Sequence, residues 1–211
     1  MPRTTTPDAT GEAPSPAPEG LRERKKRATR QALQQAAVRL FREHGAISVT
    51  VEDICAAAEV SPRTFFNYFA AKEEVLVPWD PQTIASTPQR VVDRPGAEPL
   101  LRVVRAVLGE VIDTAMAAPT WRDQALVLRD HPELVSRVAL ASRDLELALA
   151  DGLSRRVGDE QGEAYVRLLA ATGVTALRVA IQCWQRADPD SDLHDHLDAG
   201  FARLARGFAP D

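Results

Sequence analysis

What the 211-residue chain lacks removes several classes of protein. It has two cysteines, Cys55 and Cys183, far apart and set in apolar helical patterns. A disulfide framework is therefore excluded, and both are expected as buried free thiols. No alternation of polar and apolar residues marks a strand, and no internal repeat appears. There is no Gly-rich phosphate loop and no GxSxG elbow, and Ser, His and carboxylate residues are scattered, so no catalytic spacing stands out and no enzyme is expected. The longest apolar run, Leu168 to Trp184, is interrupted by Arg178 and small polar residues, which argues against a membrane span. The N-terminus reads TTTPDATGEAPSPAPEG where a secretory signal needs an apolar core, so a cytoplasmic protein is expected. An overall positive charge is also missing: the net charge is −4. A nucleic-acid partner would therefore have to be met by local asymmetry.

That asymmetry is present. Between Leu21 and Lys72 ten Lys and Arg residues stand against five acids. Within this segment, TVEDICAAAEVSPRTFFNYFAAK (Thr50 to Lys72) holds two short helical patterns separated by a break. Ile54, Cys55, Ala58 and, past the break, Val60 make one apolar face, while Phe65 and Phe69 recur at i and i+4 on the next. Thr50 is placed to cap the first helix, with Asp53 in the capping-box position. Ser61 is placed to cap the second, with Pro62 at the first helical position, where its missing N–H costs nothing. Turning Phe65 and Phe69 inward turns Pro62, Arg63, Phe66 and Asn67 outward. Arg and Asn suit bidentate hydrogen bonding to guanine and adenine edges, and Pro and Phe offer apolar contact to a thymine methyl. Tyr68 and Lys72 flank this face at phosphate positions, to which the helix starts also present free N–H groups. The stretch reads as a DNA-binding helix-turn-helix.

Taken in order, residues 1–20 have the Pro-, Thr-, Ala- and Gly-rich composition of a disordered tail. A basic run with Arg24, Lys25 and Lys26 then leads into a helix through Leu33, Ala36, Ala37, Leu40 and Phe41 that stops at Gly45, and a flexible basic arm is expected to add phosphate contacts. A helix from Glu73 to about Trp79 closes a unit spanning 21–79. Residues 80–98 read as a linker with a turn or two of helix over Thr83–Val92, ending at Arg94-Pro95-Gly96. From 99 to 211 only helices follow: Leu100–Ala117, Trp121–Arg129, a long one from Pro132 to about Val157, Glu160–Arg186 and Leu193–Phe208. The fold class is all-α, with about nine helices.

The succession of basic arm, LFREHG, TVEDI, VSPRTFFNYF and AKEEVL resembles the TetR family of bacterial transcriptional regulators over about residues 22–79. The helical remainder is similar in layout to that family's ligand-binding and dimerisation domain. FFNYFAAKEEVL and the HPEL segment are also similar to an actinobacterial subgroup that includes mycofactocin-system regulators. The resemblance implies a homodimeric repressor that binds a palindromic double-stranded operator and leaves it when a small molecule occupies the helical domain. It implies Thr50, Arg63, Thr64, Phe66, Asn67, Tyr68 and Lys72 as the DNA-contacting set. Two positions depart from the family pattern. Phe66 stands where Tyr is frequent, and Glu59 stands where the inter-helix turn usually has Gly. If that turn needs positive φ, Glu59 carries about 1 kcal/mol of strain.

For the dimer, Leu169, Gly173, Ala176, Leu177, Ala180 and Ile181, joined by Leu197, Phe201, Leu204 and Phe208, form a broad apolar stripe on the last two helices. For the effector, a cavity lined by Met116, Trp121, Leu126, Leu140 and Trp184, with Arg143, Arg178 or Gln182 as polar anchors, suits a mostly apolar molecule with an acidic or polar end. His194, His196, Asp192, Asp195 and Asp198 lie close in sequence, but i and i+2 on a helix do not face each other, so no metal and no cofactor is expected. The other reading of the chain is a helical ligand-binding or interaction module that no longer reads DNA.

Overall fold

The structure, a computed structural model, describes residues 20–134, 138, 142–158, 162–187 and 191–207. These form nine α-helices and two 3-10 turns, with no strand among the described residues. Residues 1–19 of the tail expected over 1–20, Leu140 and Phe208 lie outside them.

The first three helices are α1 (Leu21–His44), α2 (Val51–Ala57) and α3 (Pro62–Phe66). Helix α1 begins at Leu21, so Arg24, Lys25 and Lys26 sit on regular helix and not on the flexible arm expected. Its Arg-, Lys-, Gln- and Ala-rich sequence holds no Pro or Gly to interrupt it. It stops at Gly45, whose φ of 81° is open to glycine and whose N–H returns to the Phe41 carbonyl at 2.9 Å.

After α3 the chain makes a 3-10 turn, Lys72–Leu76, shorter than the helix expected to reach Trp79. Val77 is extended, the conformation favoured by a residue that precedes proline. The linker holds more helix than expected. Helix α4, Pro81–Val92, runs for 12 residues from an Asp80 cap that accepts Thr83 N–H at 2.8 Å. It contains Pro88, which removes one internal hydrogen bond. Packing offsets that loss: α4 lies tightly on α7 (Arg143–Val157), where a Cβ on Gly152 would come 2.8 Å from Pro88 Cα and carbonyl oxygen.

Helices α5 (Leu100–Met116), α6 (Trp121–Asp130), α7, α8 (Glu163–Trp184) and α9 (Leu193–Ala205) complete the chain. The long helix expected from Pro132 to Val157 is broken. Pro132–Leu134 is a 3-10 turn, and Ser142, whose hydroxyl donates to the Val138 carbonyl at 2.9 Å, is a turn residue ahead of α7. At the centre, α5 buries Val104, Leu108, Val111 and Ile112 against Val166, Ala170, Gly173 and Leu177 of α8, with Leu193, Leu197 and Phe201 of α9 alongside. Gly173 is required there, because a Cβ would lie 2.5 Å from Val104 Cγ1. Cys55 is buried as expected, whereas Cys183 is exposed on α8.

Candidate nucleic-acid interface and effector cavity

The turn between α2 and α3 is built by its caps. Thr50 Oγ1 accepts Asp53 N–H at 3.1 Å while Asp53 Oδ2 accepts Thr50 N–H at 2.9 Å, closing the capping box at the start of α2. The Thr50 hydroxyl also donates to Asp53 Oδ2 at 2.6 Å, and this bond, followed by that from Thr50 N–H, holds the Asp53 carboxyl below the usual carboxylate range. At the other end Val60 N–H reaches the Cys55 carbonyl (3.0 Å) and Glu59 N–H the Ala56 carbonyl (3.3 Å). This is the double bond pattern of a Schellman stop, and it puts Glu59 at φ 54°. The chain thus uses Glu where the geometry favours Gly. Ser61 Oγ then accepts Thr64 N–H at 3.1 Å, with Pro62 at the first helical position.

Helix α3 is regular for five residues, and Asn67 N–H to Arg63 O (3.2 Å) and Phe69 N–H to Phe65 O (3.0 Å) carry the turn onward. Phe65 and Phe69 are buried with ring centroids 5.4 Å apart. Pro62, Arg63, Phe66 and Asn67 are exposed, Phe66 at 57%, and Thr64 and Tyr68 are half-buried. The outward face is therefore the one that the helical period requires. It is held from behind by Arg30 of α1, a residue that the spacing of motifs did not single out. Arg30 donates to the Tyr68 carbonyl at 3.0 Å and lays its guanidinium 4.3 Å from the Phe69 ring centroid. Burial lowers its pKa, opposed by Asp80 and Glu74.

Lys72 departs from its expected role. Its ammonium donates to the carbonyls of Ala46 (2.8 Å), Ile47 (3.1 Å) and Val49 (2.6 Å), tying the α1–α2 loop to the end of the helix-turn-helix. All three donors are used inside the protein. Thr50 and Ser61 likewise use their hydroxyls as caps.

Behind this unit lies a cavity of about 260 Å³. Leu76, Pro78 and Trp79, at and just after the 3-10 turn, form one wall, Trp121, Gln124, Ala125 and Leu128 of α6 a second, and Val174, Arg178, Ile181 and Gln182 of α8 a third. Of the expected lining, Trp121, Arg178 and Gln182 are present. Met116 and Arg143 are exposed elsewhere, and Leu126 and Trp184 line a separate shallow depression with Arg122 and Arg129. Trp184 still supports the wall, its ring 5.9 Å from that of Trp121. Trp79 and Gln124 had no sequence signal beyond their being an apolar and a polar residue near helix ends. Gln124 Nε2 donates to the Val75 carbonyl at 2.8 Å, and Gln34 of α1 donates to the carbonyls of Val75 (3.4 Å) and Val77 (3.3 Å). Arg42 of α1 also pairs with Asp123 of α6.

The apolar stripe expected for a dimer faces inward. Gly173, Leu177, Ala180 and Phe201 are buried in the protein's own core, and Leu169, Ala176 and Leu204 are half-buried against it. The opposite side of α8 exposes Tyr165 (45%), Leu168 (67%) and Val179 (45%). Helix α8 is long and apolar enough to cross a membrane by length and composition, but one face of it is occupied by the core. His194, from the acidic cluster of α9, pairs with Asp113 of α5 at 2.8 Å.

The profile of bacterial regulatory proteins of the tetR family matches residues 33–77, and that of the MftR C-terminal domain matches residues 98–209. The chain is 33% identical to the HTH-type transcriptional regulator TcmR of Streptomyces glaucescens, covering 91% of this chain and 88% of that protein. It is 28% identical to the putative mycofactocin biosynthesis transcriptional regulator MftR of Mycobacterium tuberculosis, covering 88% and 93%. The fold is that of the fatty acid degradation regulator FadR of Bacillus halodurans, with a TM-score of 0.50 at 20% identity over 83% of this chain and 97% of that one. The chain belongs to the TetR family of bacterial transcriptional regulators.

Proposed function

We propose that this regulator is a homodimeric repressor, acting in the cytoplasm, that leaves a palindromic operator when a small, largely apolar effector fills the cavity. Residues 21–79 bind DNA, residues 80–98 connect, and residues 99–211 bind the effector and dimerise. The observation that carries the reading is the exposed Arg63, Phe66 and Asn67 set on a helix whose inner side is fixed by Phe65, Phe69 and Arg30. Side chains held this way lose little freedom on docking, and Arg63 and Asn67 have the donor geometry to read purine edges in the major groove. Pro62, Thr64 and Tyr68 border the same face, and the α1 residues Arg24, Lys25 and Lys26 add charge for phosphate contact. One such helix reads only a few base pairs, so two copies on a two-fold axis supply useful specificity.

The exposed apolar side of α8 supports the dimer, with Tyr165, Leu168 and Val179 at its surface. The stretch from Lys72 to Trp79, at the end of the DNA-binding unit, supports effector control. Its Leu76, Pro78 and Trp79 line the cavity, while its Lys72 holds the loop between α1 and α2 and its Val75 carbonyl accepts from Gln34 of α1 and Gln124 of α6. No catalytic step is assigned to the protein.

Titration of a fluorescent duplex from the gene's own upstream region tests the reading. Arg63→Ala is expected to weaken binding by about 1–3 kcal/mol and to relax preference at one base pair of each half-site. Unchanged preference, or equal affinity for unrelated duplexes, would leave a helical interaction module that does not read DNA. Leu168→Glu is expected to halve the mass in solution; an unchanged dimer would place the interface elsewhere.

A further inference from the structure

Acyl transfer to side-chain amines has few targets in this chain. Of its 26 basic residues only three, Lys25, Lys26 and Lys72, are lysines. Arginine keeps its proton under ordinary conditions and offers no lone pair to an acyl donor, whereas the lysine amine does. All three lysines lie within the DNA-binding unit, in different surroundings. Lys72 Nζ donates to the Ala46, Ile47 and Val49 carbonyls, which takes up its three donor positions and holds it as an ammonium. Lys25 and Lys26 are exposed on the first turns of α1. Lys26 also stands beside the reading face, in a groove that it lines with Asn67 and Tyr68 at the end of α3 and Gln82 of α4. The charged residues of that groove are Lys26, Arg27 and Arg30 against Glu23 and Asp80. Loss of the Lys26 charge therefore removes the groove's positive excess. Lys25 lies about 100° further round the same helix.

We infer that Lys25 and Lys26 are an acylation site, at which an activated acyl group carried as a thioester or an acyl phosphate weakens the grip of the protein on DNA. The inference rests on reading residues 21–79 as the DNA-binding unit, with phosphate contacts from α1. In the step, the unprotonated ε-amine attacks the acyl carbon. A C–N amide bond forms as the C–S or C–O bond breaks, the thiolate or phosphate leaves with the bonding pair, and the proton of the amine passes to water. Each amide replaces a cation by a neutral group, so a phosphate contact and its counterion release are lost. The base-reading set on α3 is untouched, because Arg63 and Asn67 carry no group that the donor modifies. Binding therefore falls alike on all sequences, while the preference among them stays.

The full chain is treated with acetyl phosphate and, separately, with acetyl-CoA, and mass spectrometry of its peptides maps the amides. With at least one donor, Lys25 and Lys26 are expected to react at least about tenfold faster than Lys72, which must first open its loop, and urea unfolding should abolish the difference. In titrations of the fluorescent duplex, the acetylated chain should bind its own upstream duplex and unrelated duplexes about tenfold more weakly, with a salt slope lower by up to about two. A chain carrying both Lys25→Arg and Lys26→Arg, compared with itself before and after treatment, should not respond. If neither lysine is acetylated by either donor, or Lys72 reacts as fast in the folded chain, the site is overturned and the DNA-binding reading stands. Unchanged affinity and slope after acetylation, or an equal fall in the double-Arg variant, overturns the effect assigned to these lysines. Failure of the untreated chain to prefer its own duplex is a separate result, and it overturns the DNA-binding reading on which the inference rests.

Discussion

Glu59 offers the sharpest test of how the helix-turn-helix is held. Its φ of 54° is fixed by two hydrogen bonds, Val60 N–H to Cys55 O and Glu59 N–H to Ala56 O, so the chain cannot relax it without opening the end of α2. The left-handed conformation costs a residue with a Cβ about 1–2 kcal/mol. Glycine removes that cost but adds about 0.4–1 kcal/mol of unfolded-state entropy. Glu59→Gly is therefore expected to raise stability by about 0.5–1 kcal/mol, or about 1–4 °C in Tm for a chain of this size. Glu59→Gln, which removes the charge and keeps the Cβ, should change stability little. Glu59→Val should lower it, because a β-branched side chain tolerates this φ least. Denaturant midpoints are compared at one protein concentration, because self-association would make them depend on it. If Glu59→Gly is less stable than the parent, or Glu59→Gln gains as much as Glu59→Gly, strain at this turn is not what distinguishes the residue.

Lys72→Met leaves the Ala46, Ile47 and Val49 carbonyls without their shared cation and is expected to cost about 2 kcal/mol of stability. Because the ammonium is not available to phosphate, the slope of operator affinity against salt should stay the same in that variant, whereas a lost phosphate contact would reduce it by about one. Gly152→Ala drives a methyl to within 2.8 Å of Pro88 and Val91 and should destabilise by about 1–3 kcal/mol, against little change for Ser154→Ala one turn edge away on the exposed side; equal melting of the two would remove the close α4–α7 approach as a constraint. The Asp53 pKa is depressed on folding, so the unfolded chain takes up the proton first. The capping box thus contributes above about pH 4 and is lost as pH falls through the lower folded-state value, a dependence that Asp53→Asn should flatten in acid unfolding curves. Thr50→Ala should cost about 1 kcal/mol at neutral pH.

The helix-turn-helix was legible because its signals are local. Thr50 with Asp53, Ser61 with Pro62, and Phe65 with Phe69 each act within four residues, and those short-range rules also fix which side chains turn outward. The rest of the chain depends on contacts that sequence spacing does not contain. Lys72 looks like a phosphate contact until the loop from Gly45 to Val49 folds back and presents three carbonyls to it. Arg30 looks like one more charge in a basic run, and only the packing of α1 behind α3 makes it an anchor for the Phe69 ring and the Tyr68 carbonyl. Helix α8 shows the limit most clearly, since it is apolar almost all round and carries two candidate faces. Its small residues, chiefly Gly173, suggest close helix approach, and the approach is real, but the neighbour is α5 of the same chain. Small residues report how near another helix comes and not whose helix it is. The exposed side carries the larger Leu168 and Tyr165, and an apolar period alone could not separate it from the side that the core takes.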